Sequence, residues 1–237
     1  MIRKHIPNAI TCLNLASGCA ALVFSFKGSY DMVALFVALA AVFDFLDGFA
    51  ARLLKAYSPM GKELDSLADM ISFGLVPGAI LFHFLDTQAF LNGTQSWWAW
   101  IAFTIPVFSA LRLAKFNLDD RQTERFLGLA TPANALFWIF AVNSTFSFMQ
   151  DFSMPLYITM ANLVLTNWLM VSNLPMFSFK MKHLRWNQNE TRYIFVMGCL
   201  ILIGIYKLDA ISPIIIWYIL ISIMENILLK SKIIKQI

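Results

Sequence analysis

Residues 44–69 read DFLDGFAARLLKAYSPMGKELDSLAD, and four aspartates fall within this short stretch. Asp44 and Asp47 open it, Asp65 and Asp69 close it, and a proline lies between the two pairs. Spacings of three and four residues bring side chains to the same face of an α-helix. The stretch therefore predicts two helices, each with a pair of aspartates along one face.

The chain around this stretch has the composition of a membrane protein. Of its 237 residues, 59% are hydrophobic and only 14% are charged, and the mean hydropathy is +0.68. Soluble domains usually contain about 25% charged residues. The three cysteines are odd in number and lie in apolar runs, so a disulfide framework is not expected. Residues 1–237 are predicted to form a single integral membrane domain.

Eight stretches are apolar and long enough to span a bilayer, which requires about 20 residues. Of the 18 Lys and Arg residues, only Lys27 and Lys207 fall in the predicted outer loops, which is a strong positive-inside bias. The predicted fold is an all-α polytopic transmembrane helical bundle of about eight spans, with both termini cytoplasmic. The predicted spans are residues 6–26, 31–53, 63–85, 96–113, 131–149, 154–174, 193–207 and 211–229.

The loop between the second and third spans, with its Ser58-Pro59 and Gly61, lies on the cytoplasmic side in this arrangement. The two acidic helix faces then sit at a similar depth and would form one pocket. Carboxylates that are close together repel one another and are costly to place in a membrane. Mg²⁺ and Mn²⁺ prefer oxygen ligands, and two such ions about 3.5–4 Å apart suit four carboxylates. No histidine or cysteine joins the cluster, which disfavours zinc.

Small residues and an arginine beside the aspartates favour a phosphate site. Gly48 and Ala51 leave room for a ligand, and Arg52 can bind a phosphate through its fork of donors. The net charge of +4 is attributed to topology and to attraction by anionic lipid, and no nucleic acid is expected as a partner. A purely structural role for the aspartates and an ion-coupled transporter are the alternative interpretations.

At every defined position the stretch resembles the signature of the CDP-alcohol phosphatidyltransferase family, D-x2-D-G-x2-A-R-x8-G-x3-D-x3-D. The resemblance implies a membrane enzyme that joins a CDP-linked lipid to an alcohol and releases CMP. It implies that Asp44, Asp47, Asp65 and Asp69 bind two divalent cations, Mg²⁺ or Mn²⁺, and that Asp69 is also the catalytic base. The CDP-diacylglycerol site that it implies consists of Asn8, Thr11, Asp47, Gly48, Arg52, Ser58 and Gly61.

Three further segments are similar to bacterial and archaeal phosphatidylserine synthases: DSLADMISFGLVPG (65–78), ALRLAKFN (110–117) and FLGLATPANA (126–135). The resemblance covers roughly residues 5–135, which it implies are the catalytic core. Additional C-terminal spans follow at about 150–237. It implies L-serine as the acceptor, a homodimer, and a prokaryotic cytoplasmic membrane with the active site near its cytoplasmic face. Glycerol 3-phosphate or an inositol phosphate is the alternative acceptor. Candidates for the serine-binding site are Arg112, Lys115, Asn117, Arg121 and Arg125.

Overall fold

The part of the protein that the structure describes is built from helices. No strand occurs within it, and its one isolated backbone bridge pairs Leu127 with Pro175. The all-α prediction is therefore confirmed for these residues. The structure is a computed structural model that describes residues 5–93, 95–119, 127–148, 156–177 and 189–234.

Nine α-helices follow one another in the described ranges. A π-helical segment, Met70–Leu75, joins the third to the fourth, so that helix runs without a break from Pro59 to Leu91. Short 3₁₀ segments, Trp97–Phe103 and Lys207–Ala210, precede the fifth and the ninth. The helices are α1 (Ile6–Phe26), α2 (Tyr30–Leu53), α3 (Pro59–Asp69), α4 (Val76–Leu91), α5 (Thr104–Leu118), α6 (Thr131–Phe148), α7 (Leu156–Val171), α8 (Glu190–Tyr206) and α9 (Ile211–Ile234).

All eight predicted apolar stretches fall on helices, although fewer meet the criteria for a span in the described residues. Three of the predicted stretches overlap with α6, α7 and α8, which do not meet the criteria in the described residues. The number of spans and the side on which the termini lie stay predictions. Five helical segments there are long and apolar enough to cross a membrane: Ile6–Phe26, Tyr30–Leu53, Pro59–Leu91, Trp97–Leu118 and Ile211–Leu228.

The predicted loop before the third span was too long. The helix begins at Pro59, so Gly61 lies inside it rather than in the loop. The Oγ atom of Ser58 accepts a hydrogen bond of 3.0 Å from the backbone N–H of Gly61, which caps the helix. Serine is a favoured N-cap, and proline suits the first helical position because its φ is already helical. Capping therefore starts the helix one turn before its apolar run.

Helix α1 has small and polar residues on its buried face and large apolar residues on its exposed face, the opposite of a helix in a soluble protein. Its outward side carries large apolar residues such as Leu13, Val23 and Phe26, which are 49%, 51% and 73% exposed. In lipid, small residues let helices approach closely and polar groups bond between them. This composition therefore suits a helix that turns its apolar side towards lipid. The buried residues of α1 are Pro7, Thr11, Asn14, Ser17, Gly18, Ala21 and Ser25.

Helix α1 comes very close to the π-helical segment at Gly18. A Cβ atom at this position would lie 2.3 Å from Ser72 Oγ and 2.9 Å from Ser72 Cα. One turn earlier along α1, the backbone carbonyl of Asn14 accepts a 3.1 Å hydrogen bond from Ser72 Oγ. The π-helical segment is thus held directly against α1, and only glycine leaves room for this contact.

Replacing Gly18 with alanine should destabilise the protein, because the added methyl group would overlap with backbone of the π-helical segment. Overpacking of this kind typically lowers the free energy of unfolding by about 1–3 kcal/mol. Gly204→Ala is the matched control, since a Cβ atom there meets nothing within 4 Å. Thermal unfolding in detergent should give a lower Tm for Gly18→Ala than for Gly204→Ala. Equal Tm values would contradict the close contact.

Candidate active site

Three carboxylates from two helices meet near the turn between α2 and α3. Asp44 and Asp47 lie on α2, and Asp65 lies on α3. One oxygen from each of the three lies within 4.8 Å of the other two. Asp47 is buried, and the other two are partly buried. The structure therefore brings together three of the four aspartates that the sequence predicts as metal ligands, and we call these three the carboxylate triad.

The carboxylate triad fits a hard divalent cation. Its donors are carboxylate oxygens, which Mg²⁺ and Mn²⁺ prefer, and the described residues place no histidine or cysteine in the group. The Oδ1 atom of Asp65 is buried and has no hydrogen-bond partner in the described part of the protein. A buried polar atom without a partner is destabilising, and a cation bound between the carboxylates would satisfy it.

Asp69 follows Asp65 by one helical turn and lies outside the carboxylate triad. It is only 8% exposed, and its Oδ1 atom accepts a hydrogen bond of 3.1 Å from Nδ2 of Asn14. A second bond from α1 reaches the triad itself, because the hydroxyl of Thr11 donates to Oδ2 of Asp47 at 2.6 Å. Helix α1 therefore orients one carboxylate on each of the two acidic helices.

Asn14 is a site residue that the sequence analysis missed, although the sequence contains a signal for it. Thr11 and Asn14 are three residues apart, so they share one face of a helix whose other face is apolar. Polar side chains inside a membrane helix usually face a partner in the bundle. This rule indicates that Asn14 has a partner, but only the packing shows that the partner is Asp69.

A cavity of about 490 Å³ opens beside the carboxylate triad. It lies where the first turn of α1, the last turns of α2 and the start of α3 come together. Six of the seven residues predicted to bind CDP-diacylglycerol line it, and Arg52 does not. The lining residues are Pro7, Asn8, Thr11, Asp47, Gly48, Ala51, Ala56, Tyr57, Ser58, Pro59, Gly61, Lys62 and Asp65.

Two glycines keep this cavity open. A Cβ atom at Gly48 would meet nothing within 4 Å, so the backbone of α2 is accessible from the cavity. At Gly61 a Cβ atom would lie 3.0 Å from Ser58 Oγ and 3.1 Å from Asn8 Oδ1, which would crowd the wall opposite. The start of α3 also directs the positive end of its helix dipole here, which favours an anionic ligand.

Arg52 is exposed and does not line the cavity, although it belongs to the last turn of α2. Its predicted contact with a phosphate stays a prediction. The cation that lines the cavity is Lys62, whose Nζ donates to the backbone carbonyl of Asn117 at 2.9 Å. Lys62 was not expected at the site, because its place in the first turn of α3 depends on where that helix begins.

The predicted serine-binding residues have different surroundings in the structure. Arg112 is 7% exposed, its Nη1 donates to Thr131 Oγ1 at 2.8 Å, and it interacts electrostatically with the carboxylate of Asp69. Its guanidinium also lies 5.7 Å from the ring centroid of Phe116. Arg112 therefore lies close enough to Asp69 for the two charges to interact.

Lys115 and Asn117 instead tie helices together. Lys115 Nζ donates to the backbone carbonyl of Val171 at 2.9 Å and to Oδ1 of Asn173 at 2.7 Å. Asn117 Nδ2 donates to Ser66 Oγ at 2.9 Å. Their serine-binding role stays a prediction. The other two candidates, Arg121 and Arg125, lie outside the described residues.

Comparison with known sequences identifies the family. Residues 4–177 match the sequence profile of CDP-alcohol phosphatidyltransferases. The chain belongs to this family. The matched region of this CDP-alcohol phosphatidyltransferase contains the carboxylate triad, Asp69, the cavity and Arg112. The resemblance inferred from the four aspartates is therefore confirmed.

Relatives of this CDP-alcohol phosphatidyltransferase include enzymes named for serine. A CDP-diacylglycerol–serine O-phosphatidyltransferase of Helicobacter pylori is 28% identical over 232 residues, 96% of this chain and 93% of the relative. An enzyme of the same name from Bacillus subtilis is 34% identical over 130 residues, 54% of this chain and 70% of the relative. An archaetidylserine synthase of Methanothermobacter thermautotrophicus is 30% identical over 133 residues, 55% of this chain and 54% of the relative.

Asp65→Asn should weaken the binding of Mn²⁺, because it replaces a charged ligand of the carboxylate triad with a neutral one. We expect the Mn²⁺ affinity to fall about 10–100-fold or more. A loss of that size is typical even when the mutated residue only hydrogen-bonds to a metal ligand. Glu63→Gln is the matched control, since Glu63 is an exposed carboxylate on the same helix. Titration of the purified protein with Mn²⁺ measures both affinities.

Thermal unfolding in chelator separates a lost ligand from a lost fold. Without metal the three carboxylates repel one another, so Asp65→Asn should be at least as stable as the unchanged protein there. Equal Mn²⁺ affinity in Asp65→Asn and Glu63→Gln would contradict the assignment of the triad as a metal site.

Proposed function

We propose that the protein transfers the phosphatidyl group of CDP-diacylglycerol to the hydroxyl of L-serine, giving phosphatidylserine and CMP. The observation that carries this proposal is a shared wall: Asp47 and Asp65 belong both to the carboxylate triad and to the lining of the cavity. Cavities of about 300–1,000 Å³ typically bind small molecules and cofactors. The choice of serine is supported by the names of the relatives.

In this proposal the cavity binds the CDP part of the lipid. Asn8, Thr11, Gly48, Ser58 and Gly61 form its walls, and the diphosphate lies against the open backbone at Gly48. Arg52 follows the cavity residue Ala51 and extends its guanidinium to a phosphate oxygen of the bound substrate.

The acyl chains of the same substrate lie in the membrane. Phe45 and Phe49 are 66% and 48% exposed on the outer side of α2, beside the acidic residues. Their rings stack on each other with a centroid distance of 6.4 Å. A diacylglycerol leaving the cavity would meet this apolar surface, while its diphosphate stays with the carboxylate triad.

The reaction forms one bond and breaks one. The serine hydroxyl attacks the phosphorus that carries diacylglycerol, the bond from that phosphorus to CMP breaks, and the hydroxyl proton passes to Asp69. Asn14 holds Oδ1 of Asp69, which fixes the direction of the carboxylate. Asp44, Asp47, Asp65 and Asp69 would hold two divalent cations, Mg²⁺ or Mn²⁺, and these would neutralise charge on the diphosphate and on the departing CMP.

The proposed setting is a prokaryotic cytoplasmic membrane. The chain forms one domain of eight spans with both termini in the cytoplasm, and the carboxylate triad lies near the cytoplasmic face. The distribution of Lys and Arg and the five candidate spans support this arrangement. The homodimer expected from the family resemblance belongs to the same proposal.

The direct test is CMP release by the purified full chain with CDP-diacylglycerol. We expect release with L-serine in the presence of Mg²⁺ or Mn²⁺, and no release in chelator. Release with glycerol 3-phosphate or an inositol phosphate but not with serine would change the acceptor and keep the reaction class. Ion flux into vesicles without any CMP release would favour an ion-coupled transporter.

Asp69→Asn should separate binding from chemistry. If Asp69 takes the hydroxyl proton, the variant should still bind CDP-diacylglycerol, with a small change in affinity, while kcat falls about 10²–10⁴-fold, the usual contribution of a general base. Asp86→Asn, farther along the same continuous helix, is the matched control. Measurement of Mn²⁺ affinity and kcat on both variants checks this, and near-normal turnover of Asp69→Asn would exclude it as the base.

A further inference from the structure

Three buried side chains, one each on α1, α5 and α6, contain polar atoms that have no hydrogen-bond partner among the described residues. They are Oδ1 of Asn14, Nε of Arg112, and both amide atoms of Asn134. Asn14 and Asn134 are 0% exposed, and Arg112 is 7% exposed. Each unpaired buried group is destabilising, and more so in a membrane, where water is scarce. Groups of this kind often mark the place of a ligand.

These side chains come from three helices that converge on the end of α3. Asn14 of α1 is bonded to Asp69 itself, and Arg112 of α5 interacts electrostatically with the same carboxylate. Arg112 is also bonded to Thr131, the first residue of α6. Asn134 follows Thr131 by three residues and is therefore its neighbour on one face of α6. Helix α6 packs against the π-helical segment that directly follows Asp69.

The charges of this group fit an amino acid better than a phosphate ester. It offers one guanidinium and two neutral amides, and Lys115, the next cation along α5, is bonded to the end of α7. Tyr218 also interacts electrostatically with Arg112, and its hydroxyl donates to the backbone carbonyl of Phe177 at 3.4 Å. A guanidinium suits one carboxylate, and amide oxygens suit an ammonium group. A phosphate ester carries up to two negative charges and no ammonium group.

We propose that Asn14, Arg112 and Asn134 form the subsite for the carboxylate and ammonium groups of the acceptor amino acid. Arg112 binds the carboxylate through Nε, the oxygens of Asn14 and Asn134 accept hydrogen bonds from the ammonium group, and the hydroxyl then lies at Asp69. This inference rests on the proposed function, and it adds Asn14 and Asn134 to the residues that select serine.

Asn134→Leu tests the subsite without touching Asp69 or the carboxylate triad. Leucine has a similar size but neither amide atom, so the KM for L-serine should rise about tenfold or more, as expected when a hydrogen bond to a charged group is lost. The KM for CDP-diacylglycerol should change much less than the KM for L-serine. The matched control is Asn167→Leu, because Asn167 is also a buried asparagine with an unpaired Oδ1 and lies near the other end of α5.

Two analogues show which groups the subsite recognises. Ethanolamine lacks the carboxylate, and 3-hydroxypropionate lacks the ammonium group. Both should therefore bind to the unchanged protein much more weakly than L-serine does. In Asn134→Leu the advantage of serine over 3-hydroxypropionate should shrink, whereas a general loss of stability would leave the ratio unchanged. If the leucine variant does not fold, the same measurements can be made on Asn134→Ala, which also removes both amide atoms.

The outcomes separate this inference from the proposed function. A KM for L-serine in Asn134→Leu within about twofold of the original value would overturn the subsite, as would analogues that bind as well as serine. If the unchanged protein released no CMP with any alcohol, the proposed function would fail. Calorimetric titration with L-serine then tests the subsite alone, and binding that is lost in Asn134→Leu but kept in Asn167→Leu would support it.

Discussion

Carboxylates placed close together in a membrane protein repel one another, and the other parts of this site are arranged around that repulsion. The carboxylates of the triad are buried or partly buried between neighbouring helices, so solvent screens them poorly. Thr11 and Asn14 supply neutral donors to Asp47 and Asp69. Such donors orient a carboxylate but do not remove its charge. A bound divalent cation does, which links the stability of the site to its chemistry.

The need for donors inside the bundle explains the composition of α1. A helix that supplied only large apolar residues to the site would leave the carboxylates unpaired and would hold the acidic helices farther away. Thr11, Asn14 and Ser17 provide polar groups on the buried face, and Gly18 lets the backbone of the π-helical segment come close. The large residues of α1 are moved to the outer surface, where lipid surrounds them without penalty.

The π-helical segment after Asp69 influences which neighbouring helices the side chains of this long helix face. An α-helix turns by about 100° per residue, so one additional residue in a turn changes which side chains face a given neighbour. Asp69 faces Asn14 just before this segment, and Gly74 within it packs closely against Ser109 of α5. Close packing there brings α5, and with it Arg112, to the end of α3 that contains Asp69. A π-helical turn at a functional site is a recurring feature of α-helical proteins.

The sequence by itself determined the helical character of the protein and the family to which it belongs. Both depend on local information: apolar runs of sufficient length predict helices, and the spacing of Asp44, Asp47, Asp65 and Asp69 places them on two helix faces. Six of the seven residues that the sequence predicted for the CDP-diacylglycerol site line one cavity, and four of these six belong to the motif or to the turn within it. The start of α3 was misplaced, since the apolar run begins after the N-cap at Ser58.

Only the tertiary structure decided which distant side chains meet. It placed three aspartates in one cluster, whereas Asp69 is bonded to Asn14. It also showed that Arg112 interacts with Asp69, whereas Lys115 is bonded to the end of α7. It also buried Asn134 completely, with both amide atoms lacking a hydrogen-bond partner among the described residues. Contacts between residues far apart in the chain depend on helix rotation and packing, and the spacing within a single helix does not contain that information.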